Sequence, residues 1–318
     1  MKQYVLVVML ALCAAPVWAD LAKAEQGDAD AQFELGGMYD EGKDVPQDDA
    51  ESAKWFRKAA EQGHVKAQYN LGLMYQSGQG VSKDYSQAAK WFRKAAEQGD
   101  VDAQFELGFM YIKEKNYTQS AKWLRQAADQ GHANAQYNLG LMYDKGEGVP
   151  QDYSQAAKWY RQAAEQGHAS PQYNLGLMYY KGKGVAQDYS QAANWYLKAA
   201  EQGDADAQFE LALMYHEGRG IVQDYLQAVN WFRKAAEQGY LKAQVNLGTM
   251  YRDGKGVPKD YSQAASWYRQ AASKVLQGRN TIWVLCINMD KESLKTLLKR
   301  SAFIVKPLSK AMIRRNTI

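Results

Sequence analysis

The sequence predicts an all-α chain folded as a right-handed α-solenoid of helix-turn-helix repeats, and three observations predict it. Seven tryptophans, Trp55, Trp91, Trp123, Trp159, Trp195, Trp231 and Trp267, recur 36 residues apart, with one interval of 32. Around each tryptophan the same apolar residues return at helical spacing, and the same glycines and aspartates punctuate them. A unit of this length cannot bury its apolar face alone, so neighbours must stack into a quasi-one-dimensional body. Such a body offers an extended surface, and binding along it is the function to look for.

Residues 1–19 read as a secretory signal peptide. Lys2 precedes an apolar run over residues 4–15, and the small residues Val17 and Ala19 mark a cleavage site after Ala19. That run is too short to stay in a bilayer, and no other stretch is long enough to cross one, so the mature chain is expected in the periplasm or outside the cell without a transmembrane segment. Leu12 is bulky where lipidation at Cys13 would want a small residue. Only Cys286 survives processing, so stability must come from packing rather than an internal disulfide.

Residues 20–30, with Glu25-Gln26-Gly27, resemble the second half of a repeat and are expected to cap the array. Seven repeats follow at 31–66, 67–102, 103–134, 135–170, 171–206, 207–242 and 243–272. In the second of these, Ala67, Leu71, Met74 and Tyr75 share one helix face and Tyr69, Leu73 and Gln76 the other, with Asn70 on its border. Gly72 leaves room for a partner helix. Gly78 and Gly80 suit left-handed turn positions. Asp84 with Gln87 forms a capping-box pattern that returns as Asp152 with Gln155, Asp188 with Gln191, Asp224 with Gln227 and Asp260 with Gln263. The second helix carries a one-sided stripe of Ala88, Trp91, Phe92, Ala95 and Ala96, with Lys90, Arg93, Lys94 and Glu97 toward water, and Gly99 ends it. Recurrence at a core-facing position makes the tryptophan a packing residue rather than a ligand-stacking one.

These positions, Leu71-Gly72, Tyr75, Gly78, Gly80-Val81, Asp84, Ala88, Trp91, Ala95-Ala96 and Gly99, resemble the Sel-one-like repeat family, relatives of tetratricopeptide repeats. The resemblance covers about residues 31 to 272. The third repeat departs from it: its loop is four residues shorter, and Tyr111, Tyr117 and Ser120 follow tetratricopeptide spacing. After Ala272 the Glu-Gln-Gly of earlier repeats gives way to Ser273-Lys274-Val275. Residues 273–318 form a basic cap or tail, in which Asp290, Leu294, Leu297 and Leu298 could make a closing helix; a surface-binding segment and a frame-altered terminus remain alternatives.

Charge follows the same division. From Asp20 to Asn280 there are 33 acidic and 30 basic residues, whereas from Thr281 onward eight Lys and Arg face Asp290 and Glu292 alone. The positive net charge is thus a property of the tail and gives no reason to expect nucleic acid as a partner. Chemistry is not signalled either. His64, His132 and His168 share a turn position that Asp100, Asp204 and Tyr240 fill elsewhere, which reads as a solvated turn, and His216 ends a first helix. None has metal-ligand spacing, no serine sits in a nucleophile motif, and Gly-x-Gly follows a helix instead of a strand. No catalytic residue, metal or cofactor is expected.

The resemblance implies that the first helices line a concave groove. Phe33, Tyr69, Phe105, Tyr137, Tyr173 and Phe209 would form an aromatic ladder there, beside a polar ladder of Glu34, Asn70, Glu106, Asn138, Asn174, Glu210 and Asn246. The residue after the fixed tyrosine, Asp40, Gln76, Ile112, Asp144, Tyr180, His216 and Arg252, varies where its neighbours repeat, as a binding surface would. The groove residues expected to meet a partner are therefore Tyr69, Asn70, Gln76, Glu106, Tyr137, Asn138, Asp144, Tyr173, Asn174, Tyr180, Glu210 and His216. Carboxamides suit the backbone of an extended peptide and rings suit side chains or sugars; the ladders could equally serve only to join helices. The expectation is a monomeric, exported, non-catalytic scaffold for a protein or peptide partner, in envelope assembly or host contact. The alternative is a binder of cell-wall glycan or a cell-wall-active enzyme.

Overall fold

The computed structural model describes residues 21–277; the signal peptide with its Ala19 site, Cys286 and the basic segment from residue 278 onward lie outside them. A short helical stretch at 21–25 precedes seven helical hairpins, and no strand occurs among the described residues. The hairpins are α1 (Ala29–Glu41) with α2 (Asp49–Glu61), α3 (Val65–Ser77) with α4 (Tyr85–Glu97), α5 (Val101–Lys113) with α6 (Tyr117–Asp129), α7 (Ala133–Lys145) with α8 (Tyr153–Glu165), α9 (Ala169–Lys181) with α10 (Tyr189–Glu201), α11 (Ala205–Glu217) with α12 (Tyr225–Glu237), and α13 (Leu241–Asp253) with α14 (Tyr261–Gln277). They fall into two compact units divided after Gln166. Within each unit every helix packs on its sequence neighbours, the local connectivity of an α-solenoid.

Capping explains where the helices start. Asp84 accepts from the amides of Ser86 and Gln87, and Asp152 from those of Ser154 and Gln155. The reciprocal half of the capping box is not what holds the cap's own amide: Asp84 N donates to Tyr75 O at 2.9 Å, and the same bond recurs from Asp152 to Tyr143 and from Asp224 to Tyr215. The glutamine is not needed because the carbonyl of the first helix already satisfies that donor. The turn shared by His64, Asp100, His132 and Asp204 is likewise a cap. His64 Nδ1 accepts from Ala67 N at 3.1 Å and Asp100 Oδ1 from Ala103 N at 2.8 Å, so these positions are the N-caps of the first helices rather than merely solvated turns.

The core lies between the two helices of each hairpin and their neighbours. Ala88, Trp91, Phe92, Ala95 and Ala96 are all buried, as the stripe requires, against Ala103, Leu107 and Met110 of the next first helix or Ala53, Phe56 and Leu71 of the preceding ones. Gly72 is needed for this approach: a Cβ there would stand 2.6 Å from the Phe92 ring. Gly80 is needed at the repeat boundary, where φ is +65° and a Cβ would meet the Asp49 carbonyl oxygen at 1.9 Å. The shorter third repeat turns without that segment, using Lys115 at φ +60° and Asn116 as cap. The outer face is less simple than its charge suggests. The Lys94 ammonium lies 4.3 Å from the Trp91 ring centroid, and Arg93 donates to the Tyr111 hydroxyl, so both side chains lie along the protein instead of pointing into water.

A buried carboxamide ladder, absent from the sequence reading, joins the repeats. Gln68 is 3% exposed; its Nε2 donates to Ala60 O at 3.0 Å and its Oε1 accepts from Gln98 Nε2 at 2.8 Å. Gln32 with Gln62, Gln104 with Gln130, Gln136 with Gln166, and Gln208 with Gln238 repeat the pair. The signal was present, since Gln68 is three and four residues before Leu71 and Gly72 and so shares their buried face. A polar residue returning in register on an apolar face marks a satisfied buried network.

Candidate functional site: the face of the first helices

All twelve expected groove residues are half-buried. In the first unit these are Tyr69, Asn70 and Gln76 on α3, Glu106 on α5, and Tyr137, Asn138 and Asp144 on α7. In the second they are Tyr173, Asn174 and Tyr180 on α9, with Glu210 and His216 on α11.

The aromatic ladder packs inward as much as it faces out. Tyr69 lies 5.8 Å from the Phe92 ring, Tyr137 5.9 Å from Tyr160, Tyr173 5.7 Å from Tyr196 and Phe209 5.8 Å from Phe232, each pair within one hairpin. Phe33 and Phe105 also stack at 4.5 Å on the capping rings of His64 and His132. Each of those histidines brings Nε2 toward an aspartate of the preceding repeat, Asp30 at 3.4 Å and Asp102 at 3.5 Å. Burial, helped by Asp102 and Glu106, pushes the Tyr69 phenol up to about 12; burial with Asp206 and Glu210 does the same for Tyr173.

The polar ladder is brought together only in places. Gln76 Nε2 donates to Glu106 Oε2 at 3.2 Å across a repeat boundary. Asn138 spends a donor on its own helix, Nδ2 to Asn134 O at 2.7 Å, as Asn246 does on Lys242 O. Asp144 offers its backbone carbonyl to Gln151 Nε2 at 2.7 Å. Tyr180 accepts from the Arg219 guanidinium of the next repeat, and burial raises its phenol. His216 meets the Tyr225 ring edge-on at 5.3 Å, and its imidazole is lowered by burial and by Lys255. The variable position thus touches the loop of the following repeat, a contact the helix projection alone could not place.

The sixth repeat carries a second departure that the sequence reading passed over. Leu197 stands where Arg57 and Arg93 donate to the next tyrosine, and with Tyr215, Ile221, Val222, Gln227 and Trp231 it lines a cleft of about 510 Å³. Val222 and Leu226 are exposed beside it.

Capped hairpins, a glutamine ladder between them and a half-buried, variable outer face define a tandem-repeat scaffold of the tetratricopeptide-like type. The chain belongs to the Sel1 repeat family, whose repeat matches residues 29–64, 65–100, 101–132, 133–168, 172–204, 205–240 and 241–274. Among solved structures it is similar to a protective antigen of uropathogenic Escherichia coli with the same repeat fold. That match has 42% identity and a TM-score of 0.76, over 80% of this chain and 56% of the antigen, so the chain spans little more than half of that protein. A Sel1 repeat protein of Oxalobacter formigenes is 38% identical with a TM-score of 0.67, over 86% of this chain and 77% of that one. No curated protein matches the sequence. Sel1 repeat proteins generally act as protein–protein interaction scaffolds.

Proposed function

We propose that the chain is an exported, non-catalytic scaffold that holds a partner polypeptide on the first-helix face of its repeats. The observation that carries this is the state of that face: half-buried carboxamides and carboxylates recur there at one position per repeat, and Asn138 keeps its carboxamide oxygen as an acceptor after its nitrogen is committed to Asn134 O. A regular row of such groups suits the evenly spaced donors of an extended backbone. The ladder rings favour a polypeptide over a glycan because their faces are engaged by rings of the same hairpin. Export rests on Lys2, the short apolar run and Ala19.

The test is affinity for a partner captured from envelope extract by the purified mature chain. Asn138→Ala and Asn174→Ala should each weaken it by about 1 to 3 kcal/mol through lost hydrogen bonds, with helix content unchanged. Lys90→Ala and Lys158→Ala, on outer helices, should have far less effect. Equal losses on both faces would place the binding surface elsewhere.

A further inference from the structure

The two units treat one acidic position differently. In the first, Glu106 is satisfied across the repeat boundary by Gln76 at 3.2 Å. In the second, Tyr180 stands in the register of Gln76 and Glu210 in that of Glu106, and the Tyr180 hydroxyl is engaged by Arg219 instead. Glu210 is half-buried, yet it makes no hydrogen bond or ion pair among the described residues.

What surrounds Glu210 points to a ligand. Tyr173, Tyr180, Tyr196 and Tyr240 all lie close enough to feel its charge. The Tyr196 hydroxyl is wholly buried and has no hydrogen-bond partner, while Glu210 is the nearest influence on it after burial itself. Phe92 occupies the register of Tyr196 in the first unit, so this unpaired donor is particular to the second. Tyr240 closes another side, its hydroxyl donating to Asp206 Oδ1 at 2.8 Å. Lys242 and Lys181 flank the carboxylate without pairing with it, and the Lys242 ammonium lies instead 5.9 Å from the Phe209 ring. A carboxylate short of donors among tyrosine rings is a setting for a cation. Partial burial strengthens the Coulomb attraction, and the ring faces add their quadrupoles.

We propose that Glu210, with Tyr173, Tyr180, Tyr196 and Tyr240, forms a subsite for a cationic side chain, lysine or arginine, of the polypeptide partner. This rests on the reading of the first-helix face as the interaction surface, and it adds the partner's chemistry: a basic residue must fall opposite the sixth repeat.

Calorimetry of the full mature chain with a ten-residue lysine peptide tests it, beside a ten-residue glutamate peptide. The lysine peptide should bind and the glutamate peptide should not. Glu210→Gln, which keeps shape and removes charge, should lower the lysine-peptide affinity about tenfold or more. Glu237→Gln, on the outer face of α12, should change it by less than about twofold. Glu210→Lys should abolish it, with circular dichroism reporting that each variant is folded. Unchanged affinity in Glu210→Gln, an equal loss in Glu237→Gln, or no binding of the lysine peptide by the parent chain would overturn the subsite. If a captured partner stays sensitive to Asn138→Ala while Glu210→Gln is silent, the subsite fails and the interaction face stands; insensitivity to both asparagine variants removes the face itself.

Discussion

The glutamine ladder can be tested at its middle and at its end. Gln136 donates to Ala128 O at 3.1 Å and accepts from Gln166 Nε2 at 2.9 Å, so Gln136→Leu deletes two buried hydrogen bonds at nearly constant volume. Neither partner is orphaned: Ala128 O still accepts from Gly131 N at 3.0 Å, and Gln166 Nε2 still reaches Gly131 O at 2.9 Å. The cost is therefore two net bonds at about 0.5 to 1.5 kcal/mol each, or roughly 1 to 3 kcal/mol, without a further desolvation penalty. Gln244, in the last hairpin, has the donor bond to Ala236 O, but its buried Oε1 has no partner among the described residues. Gln244→Leu loses one bond and removes a stranded acceptor, so it should be near neutral or stabilising. Native-state hydrogen exchange is the assay, because a repeat array unfolds in parts. Gln136→Leu should weaken protection in α6 to α8 and leave α1 and α2 as they were. Equal costs at residues 136 and 244 would show that volume rather than hydrogen bonding decides, and a loss spread evenly over the first unit would refute the nearest-neighbour account.

Two further outcomes are expected. Trp159 is 5% exposed, so Trp159→Ala should cost about 3 to 5 kcal/mol, read as lost protection in its own and adjacent hairpins. Burial raises the Glu210 carboxyl above its ordinary 4.5, with Asp206 and Glu217 adding to the effect and Lys242 and Lys181 opposing it. The folded state then binds this proton more tightly than the unfolded chain, so its contribution to stability falls as pH rises from 4.5 through the folded value. Relative to the parent chain, Glu210→Gln should gain stability as pH rises through that window in urea titrations and show little difference below it; a constant difference at all pH values would contradict the shift.

Much of the fold was legible because each hairpin is built by short-range rules that the repeat states several times over. Tryptophan spacing, Asp84 at a helix start, Gly72 opposite Phe92 and the αL glycines Gly78 and Gly80 each follow from local geometry. The sequence also placed the twelve groove candidates on half-buried faces through their 100° projection. What it could not supply was the partner of each polar atom. His64 is a cap because its Nδ1 meets Ala67 N, and the capping-box glutamines are spared because Tyr75 O reaches Asp84 N first. Gln68 is buried because Ala60 O and Gln98 lie beside it, and Glu210 differs from Glu106 only through Tyr180 and Arg219. Helix periodicity sets which way a side chain leaves its own axis. Which group it meets depends on the stacking of the next repeat, some 30 residues away, and only the tertiary structure decides that.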